Sequence, residues 1–307
     1  MQIITGTTDF QLTEKTAVAI GKFDGVHMGH RYLLAELLKQ KETGKKACIF
    51  TFDPPPAVFF KKTTEKELTT KEEKRKLFAD MGIDILIEFP MNAQTAAMSP
   101  EAFVQDILFE RLLAGFVAAG TDLSYGHKGA GDAALLKKLA MQHDVEVCII
   151  DKIFLDEKEV SSTYAREAVE AGNMELAEKL LGKPYTIEGV VEHGNHMGHK
   201  MGMPTANLIP SKDKLLPPCG VYFSGIRVEG KYYRGISNIG YKPTVKEAEK
   251  HLGIETYLYD FDGDVYGKEI VVELYTFKRP EQKFDSLEAL QKQVMADIEA
   301  GREYYHM

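Results

Sequence analysis

The stretch Thr16-Ala17-Val18-Ala19-Ile20-Gly21-Lys22-Phe23-Asp24-Gly25-Val26-His27-Met28-Gly29-His30 decides the fold. Its first part is a short apolar run closed by glycine, which predicts a buried strand over 16–21. Beyond it, Leu33, Leu34, Leu37 and Leu38 recur at helical spacing and predict a helix over 31–41. The loop between them carries His27 and His30 in an HxGH pattern at a helix N-terminus, with Gly29 letting a ligand approach the backbone. Free N–H groups and the helix dipole at such an end attract phosphate. Two imidazole donors there can stabilise charge growing on a phosphoryl group. In the simpler alternative the histidines only cap the helix.

Outward from this unit the alternation continues. Apolar runs predict strands over 46–52, 83–89, 115–120 and 145–150, with helical patterns over 71–81 and 130–143. Ser99-Pro100-Glu101 reads as a helix start, with a capping Ser and Pro in the first turn. Alternating strands and helices with near-continuous apolar strands argue for an α/β domain with a parallel sheet covered on both faces. In such sheets ligands bind beyond the carboxyl ends of the strands. Short helices follow over 163–181.

After Lys183-Pro184 the pattern changes. Predicted strands over 186–193, 220–228, 231–238, 254–259 and 269–277 are separated by Gly, Pro and Asn clusters, and Glu229-Gly230 and Asp262-Gly263 are turn signals. This is the pattern of an antiparallel barrel or sandwich. Leu287, Leu290, Val294 and Ile298 form one stripe of a final helix expected to pack on it. The expected domains are residues 1–182 and 183–307.

The 307 residues suffice for two such domains, and 44% hydrophobic with 27% charged residues is a globular balance. Net charge is −8, so affinity for a nucleic-acid backbone is not expected. No apolar run approaches the ~20 residues that span a bilayer, and the first ten residues lack signal-peptide character, so a cytoplasmic protein is expected. Cys48 and Cys148 sit in apolar runs and read as buried small hydrophobes; with Cys219 they make no CxxC or disulfide pattern.

Two further elements carry chemistry. Ser161-Ser162-Thr163-Tyr164-Ala165-Arg166 offers hydroxyls and a guanidinium able to clamp a triphosphate tail, although by itself it also reads as a good N-terminal cap. In the second half, Gly194, Gly198 and Gly202 recur every four residues before Pro204-Thr205-Ala206-Asn207. Such a loop can wrap amides around phosphates, and Thr205 and Asn207 offer oxygens to a hard cation such as Mg2+. A glycine-rich hairpin with Asn207 in a turn is the plainer alternative. His193, His196 and His199 do not match a standard zinc spacing.

The segments GKFDGVHMGH (21–30), TFDPPP (51–56), GTDLSYG (120–126) and SSTYAR (161–166) resemble the adenylyltransferase module of prokaryotic bifunctional riboflavin kinase/FAD synthetase. PTAN (204–207), Gly220-Val221-Tyr222, the segment 237–244, Glu255 ahead of Asp260–Gly267, and 279–284 resemble that family's riboflavin kinase module. The resemblance implies a Rossmann-like nucleotidyltransferase fold followed by a small antiparallel β-barrel with a C-terminal helix. It also implies ATP as co-substrate, Mg2+ as cofactor, riboflavin and FMN as substrates, and FMN and FAD as products. By position, Gly21, Phe23, Asp24, His27, Gly29 and His30 fall in the ATP-binding motif, and Ser161, Ser162, Thr163 and Arg166 in the phosphate-gripping motif. Asp122 falls near nucleotide or flavin. Gly194, Gly198, Gly202, Thr205 and Asn207 fall at Mg2+–ATP of the kinase, Glu255 is the base acting on the riboflavin 5′-hydroxyl, and Arg279 lies at the flavin end.

Pro55 stands where the family pattern has His, and Asp122–Gly126 reads DLSYG where DFxFG is usual. His199 replaces an Arg after Gly198, and Met203 replaces an aromatic. Alternatives are therefore a riboflavin kinase with a weak or altered adenylyltransferase half, a transferase for another small phosphate, and a non-catalytic flavin-binding regulator.

Overall fold

The computed structural model describes residues 1–61, 66–192, 205–242 and 251–307. It divides into two compact units, 1–65 with 69–162, and 66–68 with 163–307. The glycines of the kinase loop (Gly194, Gly198 and Gly202) and His193, His196 and His199 lie outside the described residues.

The first unit is built on six parallel strands: β1 (Gln2–Thr5), β2 (Thr16–Ile20), β3 (Lys46–Asp53), β4 (Ile85–Pro90), β5 (Ala114–Gly120) and β6 (Glu146–Ile150), in the order β1-β4-β3-β2-β5-β6. Every residue of β2 is buried, because alternate side chains feed two cores. Val18, Ile20, Cys48 and Phe50 join the core on one face, and Ala17, Ala19, Ala47 and Ile49 that on the other. This is the physical reason the strands read as continuous apolar runs. The chain winds outward from β2 through β3 and β4, then returns to place β5 on the other side of β2. The sheet therefore has its topological switch point at the carboxyl ends of β2 and β5.

The expected strands are present, with small shifts at their ends. The expected helix over 31–41 begins earlier and spans Met28–Lys39. The helix started by Ser99, whose Oγ accepts from Ala102 N at 3.1 Å, passes at Phe103 into wide π-type turns through Arg111. Cys48 is fully buried, whereas Cys148 is only half-buried. A short hairpin, β7 (Phe154–Leu155) and β8 (Lys158–Glu159), precedes helix Ser162–Glu170.

The second unit is a closed antiparallel barrel of β9 (Tyr185–Glu192), β10 (Thr205–Leu208), β11 (Gly220–Val228), β12 (Lys231–Lys242), β13 (His251–Leu258) and β14 (Glu269–Pro280), in the order β10-β13-β12-β11-β14-β9, with β9 pairing β10 to close it. Val228 pairs with Lys231 across Glu229 (φ 49°) and Gly230 (φ 77°), a two-residue turn with both residues left-handed, as its EG sequence suggested. Inside the barrel, Ser224, Ser237 and Thr256 are fully buried and satisfy one another at 2.8 and 2.7 Å. Helix Leu287–Tyr305 covers part of the outer face, where Ile298 packs with Val221, Phe223, Ile236 and Tyr259. Val294 joins that contact, but Leu287 at the first turn is 65% exposed, so the expected apolar stripe begins one turn later. The segment Lys66–Leu68 belongs to this unit because Glu67 N donates to Asp213 O (2.7 Å), Leu215 N to Glu67 O (2.8 Å) and the buried Lys214 Nζ to Leu68 O (2.7 Å).

Candidate functional sites

At the switch point the chain leaves β2 through a loop in which Phe23 (φ 52°), Gly25 (φ 76°) and Val26 (φ 43°) are all left-handed. Non-glycine residues hold such angles only where packing over-determines them. Here Phe23 and Val26 are fully buried, and the Phe23 ring stands edge-on to Phe78 at 5.8 Å. Asp24 is equally buried; its Oδ1 accepts from Thr69 N (3.3 Å), and Lys22 Nζ lies 3.9 Å from its Oδ2. Gly21 is held to glycine because a Cβ would lie 3.0 Å from the Phe23 ring. Gly21, Phe23 and Asp24 thus shape the loop from within.

That shape presents the histidines. His27 occupies the position before helix Met28–Lys39 with extended backbone, and its side chain makes no capping hydrogen bond. The capping alternative therefore fails for it. The His27 and His30 rings stack at 3.8 Å, and His30 lies 5.1 Å from the Phe23 ring. The Nδ1 atoms of both are buried without a hydrogen-bond partner. A Cβ on Gly29 would meet the His27 ring at 3.1 Å. Asp122, exposed just beyond β5, is close enough to act on His27 electrostatically.

Burial lowers the His27 pKa to about 4, against opposing attractions from Asp122, Asp24 and Glu159. Burial, and then the neighbouring His27, push His30 well below its usual value. Both rings are neutral at pH 7. The unfolded chain takes up protons on these histidines below pH ~6.5, whereas the folded one resists until about pH 4 for His27, so folding is weakened as pH falls through that window. A shift of this size corresponds to about 3 kcal/mol for His27. Urea unfolding followed from pH 7 to pH 4 should lose stability over this range, and His27→Gln should flatten the slope. An unchanged slope would refute the buried neutral state.

The second motif touches this loop in the first unit, where Ser162 Oγ donates to Asp24 O at 2.8 Å. Ser161 is half-buried. Thr163, which is exposed, and Arg166, which is buried, fall in the second unit, where Arg166 Nη1 donates to Lys66 O.

In the barrel, Asn207 on β10 stands directly opposite Glu255 on β13, and Glu255 opposite Asn238 on β12. The period of two puts these three on one face, together with Thr205, Tyr257 and Ile236. Asn207 is a ladder residue, not a turn residue, which removes the hairpin alternative for it. Its Nδ2 donates to Thr205 O at 3.3 Å. Glu255 is half-buried. It lines a cavity of about 290 Å³ with Thr205, Asn238, Tyr257, Arg279 and Phe284, roofed by Leu290, Val294 and Asp297 of the C-terminal helix. The cavity joins Thr205, Glu255 and Arg279, which the sequence pointed to separately. Asn238, Tyr257 and Asp297 were not singled out as site residues. The signal for Asp297 was a carboxylate between Val294 and Ile298, inside an apolar helix stripe.

The FAD synthetase family model matches residues 9–164, and the riboflavin kinase family model residues 181–305. A bifunctional riboflavin kinase/FMN adenylyltransferase of Listeria monocytogenes serovar 1/2a is 38% identical over 302 residues, 97% of this chain and 95% of that protein. The protein of the same name from Bacillus subtilis (strain 168) is 33% identical over 295 residues, covering 95% and 93%. A solved structure described as a macrolide-efflux protein from Streptococcus pneumoniae is similar with a TM-score of 0.84 and 28% identity, covering 98% of each chain. Among the described residues no helix is long and apolar enough to cross a membrane.

Proposed function

Because the chain belongs to the bifunctional riboflavin kinase/FMN adenylyltransferase family, we infer that it carries out two consecutive ATP-dependent steps on a flavin. Riboflavin and ATP give FMN and ADP in residues 183–307. FMN and ATP give FAD and pyrophosphate in residues 1–182. The division after Gly182 follows the SSTYAR motif rather than the compact units, since the helix carrying Ser162 begins in one unit and continues in the other. Both substrates and ATP are metabolites of the cytoplasm, where we place the protein.

The observation that carries this reading is Glu255 facing a cavity walled by Tyr257, Phe284, Ile236 and Leu290, an apolar slot in which the Asp297 carboxylate is taken up by Arg279. A flavin ring occupies such a slot with its polar edges toward Asn238 and Arg279. Glu255 takes the proton of the 5′-hydroxyl as that oxygen attacks the γ-phosphorus, and ADP leaves with the bonding pair. Thr205 and Asn207 present hydroxyl and amide oxygens on one face of β10. This hard-oxygen set fits Mg2+. Bound with ATP, Mg2+ would neutralise phosphate charge. The phosphate cradle assigned to Gly194, Gly198 and Gly202 rests on the motif alone.

In the adenylyl half, an FMN phosphate oxygen attacks the α-phosphorus of ATP and pyrophosphate leaves. The FMN phosphate is already ionised, so no base is required. His27 and His30 donate to the α-phosphate, where charge builds in the transition state. Rings that are neutral in the free protein become better donors there, because a nearby anion favours imidazolium. Gly29 leaves the space that the His27 ring occupies against the first turn, whose free amides suit phosphate. Ser161, Ser162, Thr163 and Arg166 are assigned to the phosphate tail by their motif, and Asp122 to nucleotide or flavin by its place beyond β5.

The test is a time course of pure protein with riboflavin, ATP and Mg2+, with flavins separated by chromatography. FMN should rise first and FAD follow. FMN alone would favour an altered adenylyltransferase half, for which Pro55 and the DLSYG segment are the motive. Neither product would favour a binding-only role.

A further inference from the structure

Arg279 and Asp297 reach the cavity from different elements, β14 and the C-terminal helix. Arg279 Nε donates to Asp297 Oδ1 (3.1 Å) and Oδ2 (3.0 Å), and Nη2 to Oδ2 (2.5 Å). Nη1 donates to Pro280 O at 3.0 Å. The two side chains are 20% and 5% exposed. Asp297 is itself held by Gln293, one helical turn earlier, whose Nε2 donates to Oδ1 at 3.1 Å. Beyond Asp297 the helix is fastened to the barrel by Tyr259 Oη donating to Ile298 O (2.7 Å) and Arg234 Nη1 to Tyr305 O (2.6 Å). The anchor of the guanidinium therefore belongs to a helix fixed on the barrel.

We propose that Asp297 is a positioning residue of the flavin slot, acting by fixing the plane and rotamer of Arg279 so that the guanidinium forms a preset wall for the flavin. This rests on the kinase reading above. A long arginine loses much rotamer freedom when ordered, and a partner that orders it beforehand removes that loss from substrate binding. A bidentate carboxylate fixes orientation as well as charge, which a lone acceptor does not. Arg279 stands on β14 and Glu255 on β13, with β12 and β11 between them in the barrel, so the pair bears on where the flavin sits and not on proton transfer. Loss of Asp297 should therefore weaken flavin binding and leave turnover of bound flavin nearly intact.

The experiment compares the parent, Asp297→Asn, Arg279→Gln and the double variant in riboflavin phosphorylation, with riboflavin binding followed by fluorescence quenching. Arg279→Gln should raise KM and Kd for riboflavin by ~10- to 100-fold, the scale of losing a charge-assisted contact. Asp297→Asn should raise both in the same direction with kcat within about twofold and KM for ATP unchanged. The double variant should be no worse than Arg279→Gln alone, because Asp297 acts only through Arg279. Additive losses, or a fall in kcat with KM unchanged, would overturn the proposal. If Asp297→Asn fails to fold, Arg279→Met with Asp297→Leu removes both buried charges together. That variant should fold and match the riboflavin Kd of Arg279→Met; a further loss of binding would again overturn the proposal. A parent protein that neither binds nor phosphorylates riboflavin would refute the kinase reading and this proposal with it. A parent that does both, with unchanged binding in Asp297→Asn, would refute the proposal alone.

Discussion

Glu255→Gln is expected to lower riboflavin phosphorylation by ~10²- to 10⁴-fold, the usual worth of general-base assistance. A hydroxyl is a poor nucleophile at pH 7 while it keeps its proton. Glu255 is half-buried at the wall of the barrel cavity, beside Asn207 on one neighbouring strand and Asn238 on the other. Gln keeps the size and most hydrogen bonds of that carboxylate but cannot take the proton, so riboflavin affinity should change little. FMN brings an ionised phosphate, and its adenylylation in the same variant should run at the parent rate. Normal riboflavin phosphorylation would place the base elsewhere. Equal loss of both reactions would mean that the two sites are not independent.

His30→Ala is expected to cut FAD formation from FMN by ~10²-fold or more, the scale for one transition-state donor. The variant also removes the ring against which His27 stacks at 3.8 Å, so His27 loses its orientation as well. Riboflavin phosphorylation should be untouched. Steady-state rates on FMN and on riboflavin, measured separately, check both halves of this expectation. FAD synthesis at the parent rate would remove the histidine pair from the chemistry.

The readable parts of the sequence were those where one physical demand dominates. TAVAI could only be a strand buried on both sides, and the EG turn fixed the hairpin between β11 and β12. Strand β1 was not legible, because Gln2–Thr5 is short and mostly exposed at a sheet edge, where neither alternation nor an apolar run is required. Strand β10 is similarly short, and its Asn207 is a residue more typical of turns; only the partners on β9 and β13 make it a strand. The early start of helix Met28–Lys39 was hidden because His27 holds the cap position with no capping side chain. In the candidate sites, HxGH and PTAN were visible as local patterns. The inward turn of Asp24 depends on Thr69, and the Arg279–Asp297 pair joins positions 18 apart on a strand and a helix, so neither contact leaves a local trace.

If one chain carries two independent sites used in sequence, variants that each lack one of them should complement one another. Mixing the two single variants tests this most directly. Glu255→Gln and His30→Ala are each supplied with riboflavin, ATP and Mg2+, first alone and then together, and FAD is measured. Glu255→Gln alone should make little or no FAD, because it lacks FMN to work on. His30→Ala alone should make FMN without FAD. The mixture should make FAD, as FMN released by one variant is adenylylated by the other. Substantial FAD from either variant alone, or none from the mixture, would contradict two independent sites.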